Sequence, residues 1–521
     1  MNIRASIIII SCFIISWYFL ENCSTDLKGN IQTVNRQPKI EPDYADVTIP
    51  YNIAPLNFAV KETGKEFQVI AQSAAGPTKI SLKSSDGKIQ FPEKSWKKLI
   101  DESKGGKVTV QVLCATNENI INKYEPFSIT VAADPIDPVL AYRLIYPGYY
   151  SWSDIKIEQR SLEDFDHESV IENQIIEKNC VNCHSFWQNN PDQFLIHMRG
   201  SKGGTYFVNN QQITKTNLKT DKMLSGATYP YWHPGGRFVA FSSNIVKQSF
   251  YAQHSRSIEV YDQASSMIIY DTQKSEIIGV PKDNEKENLQ TFPTWSPDGK
   301  MLYYCEAVVP DSVKNWEIGD IKKIHYNLVR RPFNETEVSF GQTETVIDAL
   351  AMQKSVSFPR ISPDGKFLVY TLADYGTFPI WHKEADLYML DLTNGNVKKL
   401  EVNSDETDSY HSWSSNGKWL VFSSKRLDGR STRPFIAYIN SWDQVGKPFV
   451  LPQEDPDYYN HLVQSYNIPE LVKGKIKLGP RDFANATLNT VIQAKSGKYE
   501  DHLKQKLPAS NQPEIPNSAH E

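Results

Sequence analysis

A degenerate unit recurs four times in this chain, and it limits the possible folds more than any other feature. It reads Tyr-Pro-Tyr-Trp-His-Pro-Gly-Gly-Arg-Phe-Val-Ala-Phe from Tyr229 and Phe-Pro-Thr-Trp-Ser-Pro-Asp-Gly-Lys-Met-Leu-Tyr-Tyr from Phe292. It returns as Phe-Pro-Arg-Ile-Ser-Pro-Asp-Gly-Lys-Phe-Leu-Val-Tyr from Phe358 and Tyr-His-Ser-Trp-Ser-Ser-Asn-Gly-Lys-Trp-Leu-Val-Phe from Tyr410. The matching positions Trp232, Trp295, Ile361 and Trp413 are 63, 66 and 52 residues apart. Each unit predicts a hairpin: Asp-Gly, Asn-Gly or Gly-Gly supplies the positive-φ turn, and a short apolar strand follows. Downstream runs such as 266–280 and 386–400 add further strands. Repeats of this length with about four strands each match the blades of a propeller. An aromatic content of 12 % agrees with a mainly β chain.

The repeats resemble the WD40-like repeats of the TolB family and of the propeller domains of prolyl-oligopeptidase-type peptidases, over about residues 200 to 480. That resemblance implies a β-propeller over 201–485 with six blades, one of them degenerate at 204–218, and 435–475 closing the ring. No Gly-x-Ser-x-Gly elbow is present, and too few residues follow the last strands for the hydrolase half of such a peptidase.

A chain of 521 residues predicts more than one domain. Residues 1–22 read as a signal peptide: Arg4 precedes an apolar run over 5–20 that is short for a membrane span. Cys23 follows directly and resembles the lipidated cysteine of a bacterial lipoprotein, although Glu21 and Asn22 replace the usual small residues. The expectation is a membrane partner through a lipid anchor at Cys23 and a cell-envelope location, periplasmic or outer-membrane. Uncleaved anchoring and simple secretion are the alternatives. Residues 23–44 read as a tether. Residues 45–135 read as an Ig-like β-sandwich with one short helix at 93–102, where Trp96, Leu99 and Ile100 share a face. Residues 136–200 read as a helical segment, with helices at 166–180 and 191–199, and 486–521 as a disordered tail. The net charge of −5 offers no broad basic field and excludes nucleic acid as an expected partner.

Cys180-Val181-Asn182-Cys183-His184 is the most chemical motif in the chain. Cys-x-x-Cys-His is the attachment signal for haem c, with two thioethers to the vinyl groups and the imidazole as iron ligand. With 6 cysteines and 11 histidines, about 0.0015 chance matches are expected. Zinc held by Cys180, Cys183 and His197 lacks a fourth ligand, and a dithiol centre lacks its usual βαβ scaffold. For the sixth iron ligand, Met198 is the first candidate and His197 the alternative. Tyr206 and the first-blade aromatics are expected to line the pocket. Cys114 and Cys305 read as core thiols, and a Cys114–Cys305 disulfide is possible. His233, His411 and His461 read as structural histidines near a channel. Asp405, Glu406 and Asp408 read as a solvated loop.

The whole arrangement resembles a family of Bacteroidetes exported proteins, often labelled cytochrome c biogenesis or TolB-like. The resemblance rests most on Asn182-Cys183-His184-Ser185-Phe186 and His197-Met198-Arg199-Gly200, and it implies one covalent haem c and a propeller. Three functions stay open: an electron-transfer lipoprotein whose propeller docks an unknown protein partner, a TolB-like binding scaffold with a structural or sensory haem, and a haem enzyme acting on a small oxidant.

Overall fold

The computed structural model describes residues 27–503, apart from 117, 147–153, 254–255 and 284–287. The expected signal peptide and Cys23 lie outside the described residues. The chain forms two compact units. The smaller contains residues 55–131, 452–459 and the described part of 27–46. In it, Glu66–Ser73 pairs with Lys79–Ser84 and Lys107–Ala115, and Lys107–Ala115 pairs in turn with Ile120–Tyr124 and Phe127–Ala132. A small sheet of Ile40–Glu41, Phe58–Val60 and Lys88–Ile89 accompanies it. The predicted helix is Glu93–Glu102, and it buries Trp96, Leu99 and Ile100. The expected tether contains a strand: Asn30–Val34 pairs in parallel with Ile120–Tyr124.

The larger unit is mainly β and propeller-like. Six antiparallel sheets carry inner strands Cys180–Phe186, Ala227–Trp232, Asn288–Trp295, Ser355–Ile361, Asp408–Trp413 and Ser465–Val472. Each inner strand touches the next, and the last touches the first, so the six form a closed cycle. The closing sheet joins Ser465–Val472 to Val139–Ile145, Ile155–Ser161 and His167–Glu172.

The repeat is now explained atom by atom. In three of the turns a serine accepts from the backbone five residues on and donates to the Asp or Asn two residues on. Ser296 Oγ donates to Asp298 at 2.6 Å and accepts from Met301 N at 3.0 Å. Ser362 and Ser414 do the same with Asp364 and Phe367, and with Asn416 and Trp419. Gly299, Gly365 and Gly417 follow at φ 73°, 74° and 67°, the left-handed region that glycine tolerates. The repeat tryptophans tie adjacent sheets: Trp232 Nε1 donates to Ser185 O and Trp413 Nε1 to Arg360 O.

Residues 136–200 depart from expectation. The segment expected to be helical supplies strands to two of the six sheets, so the propeller begins well before residue 201. The stretch 166–180 forms the strand His167–Glu172 and one 3-10 turn, and 191–199 forms the strand Gln193–Arg199. A helix would have buried Ile171, Ile175 and Ile176 together, whereas Val170, Ile171 and Ile176 are buried and Ile175 is 48 % exposed. Pairing with Ile155–Ser161 satisfies this backbone instead. The expected tail also starts with structure. Pro480–Ala486 is helical, and Ile492–Gln493 and Lys495–Ser496 extend two sheet edges in parallel. Among the described residues no helix is long and apolar enough to cross a membrane.

Candidate functional site

The motif residues lie on the first inner strand, not on a helix. Cys180–Phe186 pairs with Gln193–Arg199, with a register shift between Val181 and Cys183. Corresponding shifts interrupt the other inner strands. In those five strands the shift is occupied by Tyr229, Phe292, Phe358, Tyr410 and Ile468, each at φ between 48° and 52°. A non-glycine residue held there costs on the order of 1–3 kcal/mol, which the surrounding packing must offset. The rings form a continuous contact: Tyr229 to Phe292 at 4.6 Å, Phe292 to Phe358 at 4.0 Å, and Phe358 to Tyr410 at 4.6 Å between centroids. Two cavities adjoin this waist, and Cys183, Tyr229, Phe358, Tyr410 and Ile468 line both.

The larger cavity, about 350 Å³, is lined by Cys183 and His184 together with Tyr231, Trp232, Arg360, His411 and Glu470. His184 is 3 % exposed; neither ring nitrogen makes a well-aligned hydrogen bond, and a weak contact with the Ile468 backbone is its polar partner. Glu470 Oε1 stands 3.8 Å from Nε2, too far for one. Burial, reinforced by the charge of Arg143, pushes the imidazole down to about 3, so it is neutral and carries a free lone pair. Leaving such groups buried and unpaired costs about 1–3 kcal/mol each. Burial raises both thiols, Cys180 to about 11, which favours their protonated form near neutral pH. Neither is in a disulfide, nor are Cys114 and Cys305, which are buried as expected.

Haem c requires an imidazole with a free nitrogen facing a space shared with the thiols. Cys183 and His184 meet part of that requirement, facing the aromatic cavity together. Cys180 sits at the start of the same strand, within the apolar cluster of Val181, Ile196 and Met198, and lines neither cavity. The two proposed sixth ligands are not brought to the cavity. Met198 is 1 % exposed in that same apolar cluster. His197 Nδ1 lies 3.1 Å from Thr205 Oγ1, on the strand that neighbours the motif. Strand alternation separates what helical spacing would have gathered. Tyr206 is also core, its hydroxyl donating to Lys202 O at 2.7 Å. Among the described residues, no group of three His, Cys, Asp or Glu side chains is placed to hold a metal, which leaves the zinc alternative with Cys180, Cys183 and His197 unsupported.

Other candidates resolve into structure. His233 accepts from Gly235 N through Nδ1, and its Nε2 lies 3.1 Å from Gly299 O, so its ring replaces the turn serine. His411 donates Nε2 to Val369 O at 2.8 Å, while its buried Nδ1 has no partner and its residue lines the His184 cavity. His461 is exposed in a short helix. Glu406 pairs with Lys383 and Asp408 with Arg426, both at 2.7 Å. Sequence reasoning missed Arg360 and Glu470. Arg360 is half-buried over the Tyr231 ring at 4.8 Å, and desolvation pushes Glu470 up to about 7. Their signal was the recurring X-Pro pair, Phe358-Pro359 and Ile468-Pro469, whose neighbours face the channel.

No family model matches the chain, and no curated protein matches it. Solved structures similar to it are propeller-like and distant. An oligogalacturonate lyase in complex with manganese is 14 % identical, with 60 % of this chain and 72 % of that chain covered and a TM-score of 0.34. A hypothetical selenium-binding protein from Sulfolobus tokodaii is 11 % identical, with 80 % and 96 % covered and a TM-score of 0.40. A puromycin hydrolase is 12 % identical, with 60 % and 45 % covered and a TM-score of 0.35.

Proposed function

We propose that this propeller carries one covalent haem c, held by Cys180, Cys183 and His184, and exchanges electrons with a protein partner. The observation that supports this most is His184: a neutral, buried imidazole whose nitrogens have only a weak backbone contact with Ile468, beside a free thiol and an aromatic cavity. A buried polar group so poorly paired needs an explanation, and a bound group is one. The group would supply one-electron chemistry. The chain would hold it by the two thiols and His184 and shield it from water with Tyr231, Trp232 and Tyr410. The same reading puts the protein in the cell envelope, tethered through a lipid on Cys23.

One observation favours a second reading, a haem enzyme that binds a small oxidant. Met198 and His197 are engaged in the core, while His411, whose Nδ1 has no hydrogen-bond partner, lines the His184 cavity, where a small ligand would also have room.

The test is a pyridine haemochrome spectrum of protein made in a host with c-haem maturation. A c-type signal is expected, reduced to a single-thioether spectrum in Cys180→Ser and in Cys183→Ser and lost in the double variant. No c-type signal in the wild type ends the proposal. Rapid carbon monoxide binding by the reduced protein would favour the second reading over electron transfer.

A further inference from the structure

The second cavity, about 140 Å³, differs in charge from the first. Arg143, Arg199, Lys425 and Arg430 line it, and among the described residues its lining contains no Asp or Glu. Like charges around one small space repel one another, and an anion among Arg143 and Lys425 would relieve that repulsion. Arg143 is 9 % exposed; its Nη1 donates to Asn182 O and Oδ1 at 2.7 Å, but its Nε is buried with no hydrogen-bond partner. Lys425 Nζ lies 4.8 Å above the Trp381 ring and has no ion-pair partner among the described residues. Asp428 and Glu406 act on Lys425 from a distance but pair with other groups: Glu406 with Lys383, and Asp428 with Arg433 and the backbone of Arg430 and Ser431.

The walls of the same cavity are apolar, from Ile145, Ile258, Val260, Phe378, Ile380 and Trp381. A small hydrated anion would waste that surface, because apolar walls recover nothing from it. A cavity of about 150 Å³ accommodates a benzene-sized body. We propose that this cavity binds a small organic carboxylate, its charged end among Arg143, Arg199 and Lys425 and its apolar or aromatic body against Trp381 and Phe378. The assignment does not depend on the haem reading: the two cavities share Cys183 and the waist residues, but the cations and Trp381 line only this one.

Titration calorimetry of benzoate into protein made with c-haem maturation tests it. One site per chain is expected, with benzamide, which lacks the charge, at least tenfold weaker. Lys425→Met, which keeps the side-chain volume, should weaken benzoate at least tenfold. Should that variant fail to fold, Arg430→Gln at the exposed rim serves, with a loss of threefold or more expected. No saturable benzoate binding, or unchanged affinity in the variants, overturns the site. Inorganic phosphate binding as tightly as benzoate overturns the carboxylate assignment.

Discussion

Nε2 of His184 and Oε1 of Glu470 stand 3.8 Å apart on the two inner strands that meet where the ring closes. Glu470 also accepts Phe186 N–H at 3.2 Å, so it holds the motif strand while facing its histidine. Glu470→Gln keeps that acceptor and should change stability by less than about 1 kcal/mol, as expected when a single hydrogen bond is retained. Under the proposed function it removes, above about pH 7, a negative charge beside the iron ligand. The midpoint potential, read by spectroelectrochemistry, should move to more positive values.

The repeat tryptophans predict where the propeller is most vulnerable. Trp419 is fully buried, donates Nε1 to Pro135 O at 3.0 Å and packs on Tyr438 with centroids 4.8 Å apart. Trp419→Ala should cost about 3–5 kcal/mol, the range for deleting a buried aromatic. A lower urea midpoint with an unchanged slope would show it.

Two glycines separate backbone strain from collision. Gly299 and Gly395 both sit in left-handed turns, at φ 73° and 78°. A Cβ on Gly299 would collide with the His233 ring, whereas one on Gly395 would meet nothing within 4 Å. Gly395→Ala should cost about 1 kcal/mol, from φ alone, and Gly299→Ala at least about 1 kcal/mol more. Equal losses in thermal unfolding would refute the clash.

A buried histidine sets an alkaline dependence. Burial opposes the charge on His382, but Glu259 at 3.2 Å and Glu384 at 3.1 Å outweigh it, and its pKa is raised above 6.5. Tyr375 donates to the other Glu259 oxygen at 2.9 Å and keeps that carboxylate in place. A raised folded pKa stabilises fully below the unfolded value and is lost as pH climbs through the folded one. His382→Gln should therefore be least stable relative to wild type near pH 6. The gap should narrow as pH rises through the raised pKa of His382 towards pH 9. A gap independent of pH would remove the charge from this account.

The sequence revealed the four sheets whose turns carry Ser-Pro-Asp-Gly or its variants, because that turn chemistry is local. Of the sheets at either side of the closure it marked only a part, 204–218 in one and the stretch 435–475 in the other. Their inner strands, Cys180–Phe186 and Ser465–Val472, lack the serine turn, and one of them takes its partners from 139–172. Ile468-Pro469 repeats the Phe-Pro pattern of 292 and 358, and it was the one local trace of the last inner strand. The motif itself was legible as chemistry, but its geometry was not. Helical spacing brought Met198 and His197 into play, and only the pairing of Val181 with Met198 and Cys183 with His197 shows them on an adjoining strand. Arg360, Glu470 and the four cations of the smaller cavity come together from distant positions, which no local pattern records.

Gln159 donates to Ile476 O at 2.7 Å across 317 residues, beside the sheet that joins 139–172 to 465–472. During synthesis the early strands wait with an unpaired edge until the late one emerges, and an edge of that kind invites mispairing. Contacts this remote in sequence also slow folding. A cut in the loops near residue 450 would therefore damage the first-made strands as much as the last, because the ring has one clasp and both ends of the unit form it.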